Sequence, residues 1–149
     1  MFIYKSGRFH FGSTSFALPK ECLVDTVTPI ESHHGILIKP LNQSFQIYID
    51  YYPGDKDAIG SITELIDGWS KATGFKREDF ACGTGWSTFY GNEINSFYEV
   101  RFDMKTPTHD EKGRMLRTLT VEIKAETMDK VRTAVQSALF KELLESIEL

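Results

Sequence analysis

The chain has 149 residues, of which 41% are hydrophobic, 26% charged and 13% aromatic, and 17 Lys+Arg against 21 Asp+Glu leave a formal charge of −4. A chain of this length and apolar content can bury a real core, which excludes a disordered tail, a collagen-like fibre and a coiled coil. The acidic balance also excludes a phosphate track: Lys76-Arg77 runs straight into Glu78-Asp79, and the cations from Lys112 to Arg117 are offset by Asp110 and Glu111.

From Met1 to about Pro53 the pattern is strand-like. Phe9 and Phe11 alternate with Arg8 and His10, Phe16 and Leu18 follow a small-residue turn at Gly12-Ser13-Thr14, and Pro19 and Pro29 mark breaks. Over Ser44 to Tyr52, Phe45, Ile47, Ile49 and Tyr51 point one way and Gln46, Tyr48, Asp50 and Tyr52 the other, because successive side chains in a strand alternate faces. This strand is expected to pair with Gly35 to Lys39 through a turn at Pro40-Leu41-Asn42-Gln43.

The period then changes. Ala58, Ile62, Leu65, Ile66 and Trp69 recur at spacings of three and four, the stripe of a helix capped by Asp55 or Asp57 and stopped by Gly74, about 17 residues in all. A meander is predicted over 78–82, 85–90, 94–104 and 116–125, with Gly91-Asn92 as a two-residue hairpin turn. Ile94, Ser96, Tyr98, Val100, Phe102 and Met104 share a face, as do Leu119, Val121, Ile123 and Ala125, while Thr106 to Arg114 reads as an exposed loop. A final helix capped by Thr127 buries Met128, Val131, Val135, Ala138, Leu139 and Leu143. Strands in blocks, rather than strict alternation with helices, predict a single α+β domain over 1–149, an antiparallel sheet with two amphipathic helices packed on it.

Chemistry is sparsely signposted. Cys22 and Cys82, 60 residues apart, form no Cys-x-x-Cys; they read as two thiols of a reducing compartment, with a pairing left open. Adjacent His33 and His34 face opposite ways on a strand, so no metal is predicted there. Cys82-Gly83-Thr84-Gly85-Trp86 reads as a turn between strands, and His109-Asp110-Glu111 as a solvated loop. No catalytic constellation and no cofactor is nominated. The start of the chain has no signal-peptide pattern and no apolar run nears the ~20 residues of a membrane span, so a cytoplasmic protein without a span is expected.

The surplus is aromatic. Tyr48, Tyr51, Tyr52, Trp86, Phe89, Tyr90, Phe97 and Tyr98 populate both faces of the predicted sheet, with Glu93, Glu99, Arg101 and Asp103 at the rim of any face left open. Tyr and Trp anchor interfaces, so Tyr48, Tyr52, Trp86, Tyr90, Tyr98 and Arg101 are the candidate binding residues, for another protein or for self-association. The alternative is a small-molecule binder or enzyme whose pocket lies between sheet and helix near Cys82, with His33 or Tyr90 at its mouth.

The leading Phe16-Ala17-Leu18-Pro19, the strand pair, the helix with Trp69, the meander and a closing helix around Ser137 to Phe140 resemble the Mog1/PsbP-like fold, nearest its DcrB-like and type VI effector-associated chaperone branch. The resemblance covers the chain from about residue 8 onward. It differs in one strand fewer before the last helix and an added strand within Met1 to Phe11. It implies a sandwich of sheet and helices and a non-enzymatic adaptor, chaperone or immunity-type role.

Overall fold

The computed structural model describes residues 3–26, 34–53 and 56–149. In chain order the elements are β1 (Ile3–Lys5), β2 (Arg8–Phe11), β3 (Thr14–Ala17), β4 (Cys22–Thr26), β5 (His34–Pro40), β6 (Phe45–Pro53), α1 (Ala58–Trp69), β7 (Lys76–Asp79), β8 (Thr84–Tyr90), β9 (Glu93–His109), β10 (Met115–Ala125), α2 (Met128–Gln136) and α3 (Ala138–Ser146). The last seven strands form one sheet in the order β4-β5-β6-β10-β9-β8-β7, every neighbouring pair antiparallel. β1, β2 and β3 form a separate three-stranded sheet. The fold is α+β, with helices packed on an antiparallel sheet, as the blockwise pattern predicts.

Register explains which face is which. Leu119, Val121, Ile123 and Ala125 of β10 stand opposite Phe102, Val100, Tyr98 and Ser96 of β9 on one side and Tyr51, Ile49, Ile47 and Phe45 of β6 on the other. With Ile36 and Ile38 of β5 they form the inner face, almost wholly withdrawn from solvent. That face is covered by α2 and α3, which contribute Val131, Ala134, Phe140 and Leu143, and by the small sheet, which contributes Phe11 and Phe16. The small sheet is fastened there by the Phe11–Tyr51 ring stack at 4.4 Å, a Thr14–Tyr51 hydroxyl hydrogen bond, and a two-way backbone bridge from Ser15 to Glu148.

Three expectations are corrected. The closing helix is two helices, because the Ser137 backbone turns extended (ψ 148) and its hydroxyl accepts from the Phe140 amide, capping a new helix. The first four residues of the expected loop are strand: β9 runs to His109 and pairs Thr108 with Leu116, with residues 104–107 bulged opposite residue 117. Only the residues between His109 and Met115 turn, held by Asp110, whose carboxylate accepts the amides of Lys112 and Arg114. Finally, α1 stops at Trp69 rather than running to Gly74; its cap is Asp57, which accepts from the Gly60 amide at 2.7 Å, while Asp55 lies outside the described residues. The Gly91 turn joins β8 to β9 as expected, with the positive φ (65°) that glycine adopts freely.

Candidate functional site

The outer face of the large sheet is built from the alternate residues. It carries Leu23 and Asp25 on β4, Leu37 and Lys39 on β5, Tyr48, Asp50 and Tyr52 on β6, and Thr118, Thr120, Glu122 and Lys124 on β10. Beyond these come Phe97, Glu99, Arg101 and Asp103 on β9, and Trp86 on β8. Its cover is lopsided. α1 packs at the β9 side, where Ile62, Leu65 and Ile66 close over Trp86 and Phe97, and the Ala58 amide is held by Asp103 at 2.8 Å. Toward the β4 edge Leu23 is 58% exposed, and Tyr48 and Tyr52 are half-buried.

Between the two halves lies a polar cluster. Arg101 donates to Glu99 at 2.6 Å, and its guanidinium sits 4.8 Å from the centre of the Tyr52 ring. Strands are about 4.8 Å apart, and Tyr52 stands on β6 while Arg101 starts on β9; the guanidinium must therefore lie across β10. It passes over the small side chains Thr118 and Thr120, each only 2% exposed. The pair is itself sunk, with 6% of the Arg101 and 2% of the Glu99 side chain exposed. Glu99, expected at an exposed rim, is thus part of the interior.

Glu122 is directly opposite Glu99 on the neighbouring strand, with Tyr48 on its other side. Its carboxyl is pushed up to about 8, first by burial and then by the charges of Glu99 and Asp50, against the weaker opposite pull of Arg101 and Lys124. Glu99 is raised for the same leading reason, burial, and is held back by Arg101. Burial, with Asp50, Glu99 and Glu122 around it, raises the Tyr52 phenol as well. Two like carboxyls side by side cannot both ionise cheaply, so at neutral pH Glu99 takes the charge beside Arg101 and Glu122 holds the proton.

A cleft of about 300 Å³ opens beside this cluster, walled by Ala58, Ile59 and Ile62 of α1 and by Phe80, Cys82, Gly83 and Thr84, with Glu99 and Arg101 at its base. Gly83 is required where the 80–83 turn presses on β9, because a Cβ there would stand 2.6 Å from the Glu99 carbonyl oxygen and the Tyr98 ring.

Of the six candidate binding residues, the structure brings Tyr48, Tyr52, Trp86, Tyr90 and Arg101 to the outer face. Tyr98 is on the inner face, 1% exposed, with its ring edge-on to Phe80 and Phe140. Its even spacing with Ser96 and Val100 puts it in the core, so it is corrected from surface anchor to core residue. Trp86 is also withdrawn, 2% exposed, stacked on Phe97 and met edge-on by Trp69 under α1. Arg101 is occupied by Glu99 and Tyr52. Tyr90 is the freely exposed one, at the β8–β9 hairpin, with Lys124 over its ring at 4.6 Å. Cys82 is exposed at the cleft and Cys22 half-buried, and both thiols are free; Tyr90 is away from the cleft, and His33 lies outside the described residues. Among the described residues no three His, Cys, Asp or Glu side chains gather as a metal ion needs, and no helix is long and apolar enough to cross a membrane.

Sequence reasoning missed Asp50, Thr120 and Glu122. Their only signal was polar residues at alternate positions of strands that are otherwise apolar, and register, which brings them together, is not written in any one strand. Comparisons with protein-family models, curated proteins and solved structures return no match.

Proposed function

We propose that this chain is a cytoplasmic, non-enzymatic protein-binding module of the Mog1/PsbP-like kind, an adaptor, chaperone or immunity-type protein, that docks its partner on the outer face over β4, β5, β6 and β10. The observation that carries the reading is the lopsided cover among the described residues: the inner face is sealed by two helices and a second sheet, whereas on the outer face α1 packs at the β9 side. The remainder presents Leu23, Leu37, Tyr48 and Tyr52 among Asp25, Lys39, Glu122 and Lys124, a mixture of apolar, aromatic and charged groups suited to a partner of a size that buries roughly 800 Å² per side.

The test is affinity capture from cells of the source with the wild-type chain, with Leu23→Glu and Tyr48→Glu, and with Leu41→Glu, which alters an exposed residue at the β5–β6 turn instead. A protein retained by wild type and Leu41→Glu but lost by both face variants supports the reading. Equal retention by all four overturns it, and concentration-dependent dimerisation lost only in the face variants assigns the partner as a second copy.

One observation favours a second reading, a small-molecule binder: the cleft between α1 and the sheet, with Cys82 at its wall and the Glu99–Arg101 pair at its base. A ligand seated there shields Cys82 from alkylation, whereas a partner confined to the β4–β10 side leaves that rate unchanged.

A further inference from the structure

Among the described residues the large sheet ends in two open edges, β4 on one side and β7 on the other, and a row of unpaired backbone groups is a template for another strand. Backbone hydrogen bonds fix which groups each edge offers. The Leu41 amide donates to the Glu21 carbonyl at 2.8 Å, in line with the β4–β5 ladder that pairs Cys22 with Pro40 and Leu23 with Lys39. Hydrogen-bonded and non-bonded pairs alternate in an antiparallel ladder. Leu23 and Asp25 therefore spend their backbone groups on β5, whereas those of Cys22, Val24 and Thr26 point away from the sheet. On the opposite edge the Phe80 amide donates to the Gly83 carbonyl at 2.9 Å, and the same alternation turns Arg77 and Asp79 outward.

The two edges are guarded differently. β7 is four residues long and each is charged, Lys76-Arg77-Glu78-Asp79, the short, charged border that keeps edges apart. β4 offers Cys22, Leu23 and Val24, and its one charge, Asp25, is held by Lys39 at 2.8 Å. Leu23 is 58% exposed on the outer face, while Val24 packs on the core beside Ile38 on the inner face.

The edge's own residues select what fits it. Two copies related by a twofold axis pair their edges antiparallel and keep inner face beside inner face, so each residue meets one from the same face. Centring the pair on Leu23 sets Glu21 against Asp25 twice, and centring it on Asp25 sets that carboxylate against its own copy; like charges directly opposite are destabilising. Centring it on Cys22 runs past the start of the strand at Glu21, where a φ of 60° turns the chain. Centring it on Val24 meets none of these obstacles. Val24 then faces its copy in a hydrogen-bonded pair and Cys22 faces Thr26, so the outward backbone groups of all three are satisfied. Leu23 stands opposite Asp25 on the outer face, and the inner face continues across the axis as Ile38, Val24, Val24 and Ile38.

We propose that a second copy of this chain adds its β4 to β4 about Val24, joining two seven-stranded sheets into one. The inference goes beyond the docking-face reading and does not depend on it, because the contact is made at the edge and leaves the outer face over β6 and β10 uncovered. Five residues a side place the contact at the small, transient end of interfaces, so it is read at NMR concentrations.

The experiment uses the full chain alone. Diffusion and amide-exchange NMR compare dilute with concentrated samples, and a mixture of isotope-labelled and unlabelled chains isolates contacts between copies. The expected result is slower diffusion on concentration. The Cys22 and Val24 amides should exchange fast when dilute and become protected when concentrated, with Leu23 and Asp25 protected in both. An inter-copy contact should join the α-protons of Leu23 and Asp25, which lie close in a non-bonded pair. Leu23→Lys, which sets a cation opposite Asp25, should tighten pairing about fivefold, and Leu23→Glu should weaken it by about as much. Val24→Pro removes an amide that β5 does not use, a change edge strands tolerate, and should abolish pairing; should that variant fail to fold, the opposed Leu23 variants still decide. A chain that stays monomeric on concentration, unchanged exchange at Cys22 and Val24, or the same response from Leu23→Lys and Leu23→Glu overturns the proposal. Pairing lost in Leu23→Glu and kept in Tyr48→Glu supports the edge; pairing lost in both moves the contact to the outer face and overturns it.

Discussion

Replacing Glu122 by Gln is the sharpest probe of the polar cluster, because the amide keeps the size and hydrogen-bonding character of a neutral carboxyl and removes its ability to ionise. In the unfolded chain a glutamate titrates near its ordinary value of 4.5, whereas in the fold Glu122 is pushed up to about 8. Between those values the folded state holds a proton that the unfolded state has released. Stability must then fall with rising pH, by about 1.4 kcal/mol per unit, because the state binding more protons loses ground. The contribution is fully present below pH 4.5 and is lost as pH rises through 8. At pH 7 the interval traversed corresponds to roughly 3 kcal/mol, and at its end to about 5 kcal/mol as an upper limit. Urea unfolding of both proteins from pH 5 to 9 reads this directly. At pH 5 the two should agree to within about 1 kcal/mol, and Glu122→Gln should then become progressively more stable than wild type before the difference levels off above pH 8. Parallel stability curves across the range would refute the account of Glu122 as a protonated group beside an ionised Glu99.

Four further outcomes follow from particular contacts. Arg101→Met leaves Glu99 buried without its cation and should cost about 3–5 kcal/mol in urea unfolding, whereas the Arg101→Met, Glu99→Met double variant should recover most of that loss. Ser137→Ala removes the cap that starts α3 and should lower stability by about 1 kcal/mol, measured the same way. Gly83→Ala forces a Cβ against the Glu99 carbonyl and the Tyr98 ring and should cost about 1–3 kcal/mol, seen as a lower thermal midpoint. A thiol-reactive dye should label Cys82 well before Cys22, because Cys82 is exposed, whereas burial, together with Glu142 and Glu21, holds the Cys22 thiol above its ordinary value.

Much of this fold was legible because local pattern and tertiary role agree. The alternation of Phe45, Ile47, Ile49 and Tyr51 marks an inner face in the sequence and is an inner face in the structure, since one buried side leaves a strand no other register. The Gly91 hairpin and the Thr127 cap were equally plain, because turns and caps are specified by the residues that make them. What escaped depended on partners remote in sequence. The break at Ser137 was hidden because both halves share one apolar stripe, and only the hydroxyl facing the Phe140 amide divides them. The strand beyond Thr106 looked like a polar loop because it extends past the core, where pairing rather than burial sustains it. Tyr98 shares its strand face with Val100 and Met104, but that this face is the buried one depends on Phe140, from the last helix, resting against its ring. The cluster of Asp50, Glu99, Arg101, Thr120 and Glu122 spans 73 positions of sequence (from 50 to 122, inclusive), and each member alone resembles an ordinary solvent-facing residue.

Oxidative footprinting of the chain inside the cells that make it, set against the purified chain, tests the docking face most directly. Leu23 and Tyr48 should be labelled several-fold less in cells, while Ile59 of α1, at the cleft wall and 77% exposed, should be labelled equally in both. Equal labelling of Leu23 and Tyr48 in the two settings, or protection confined to Ile59 and Cys82, would contradict a partner seated over β4, β5, β6 and β10.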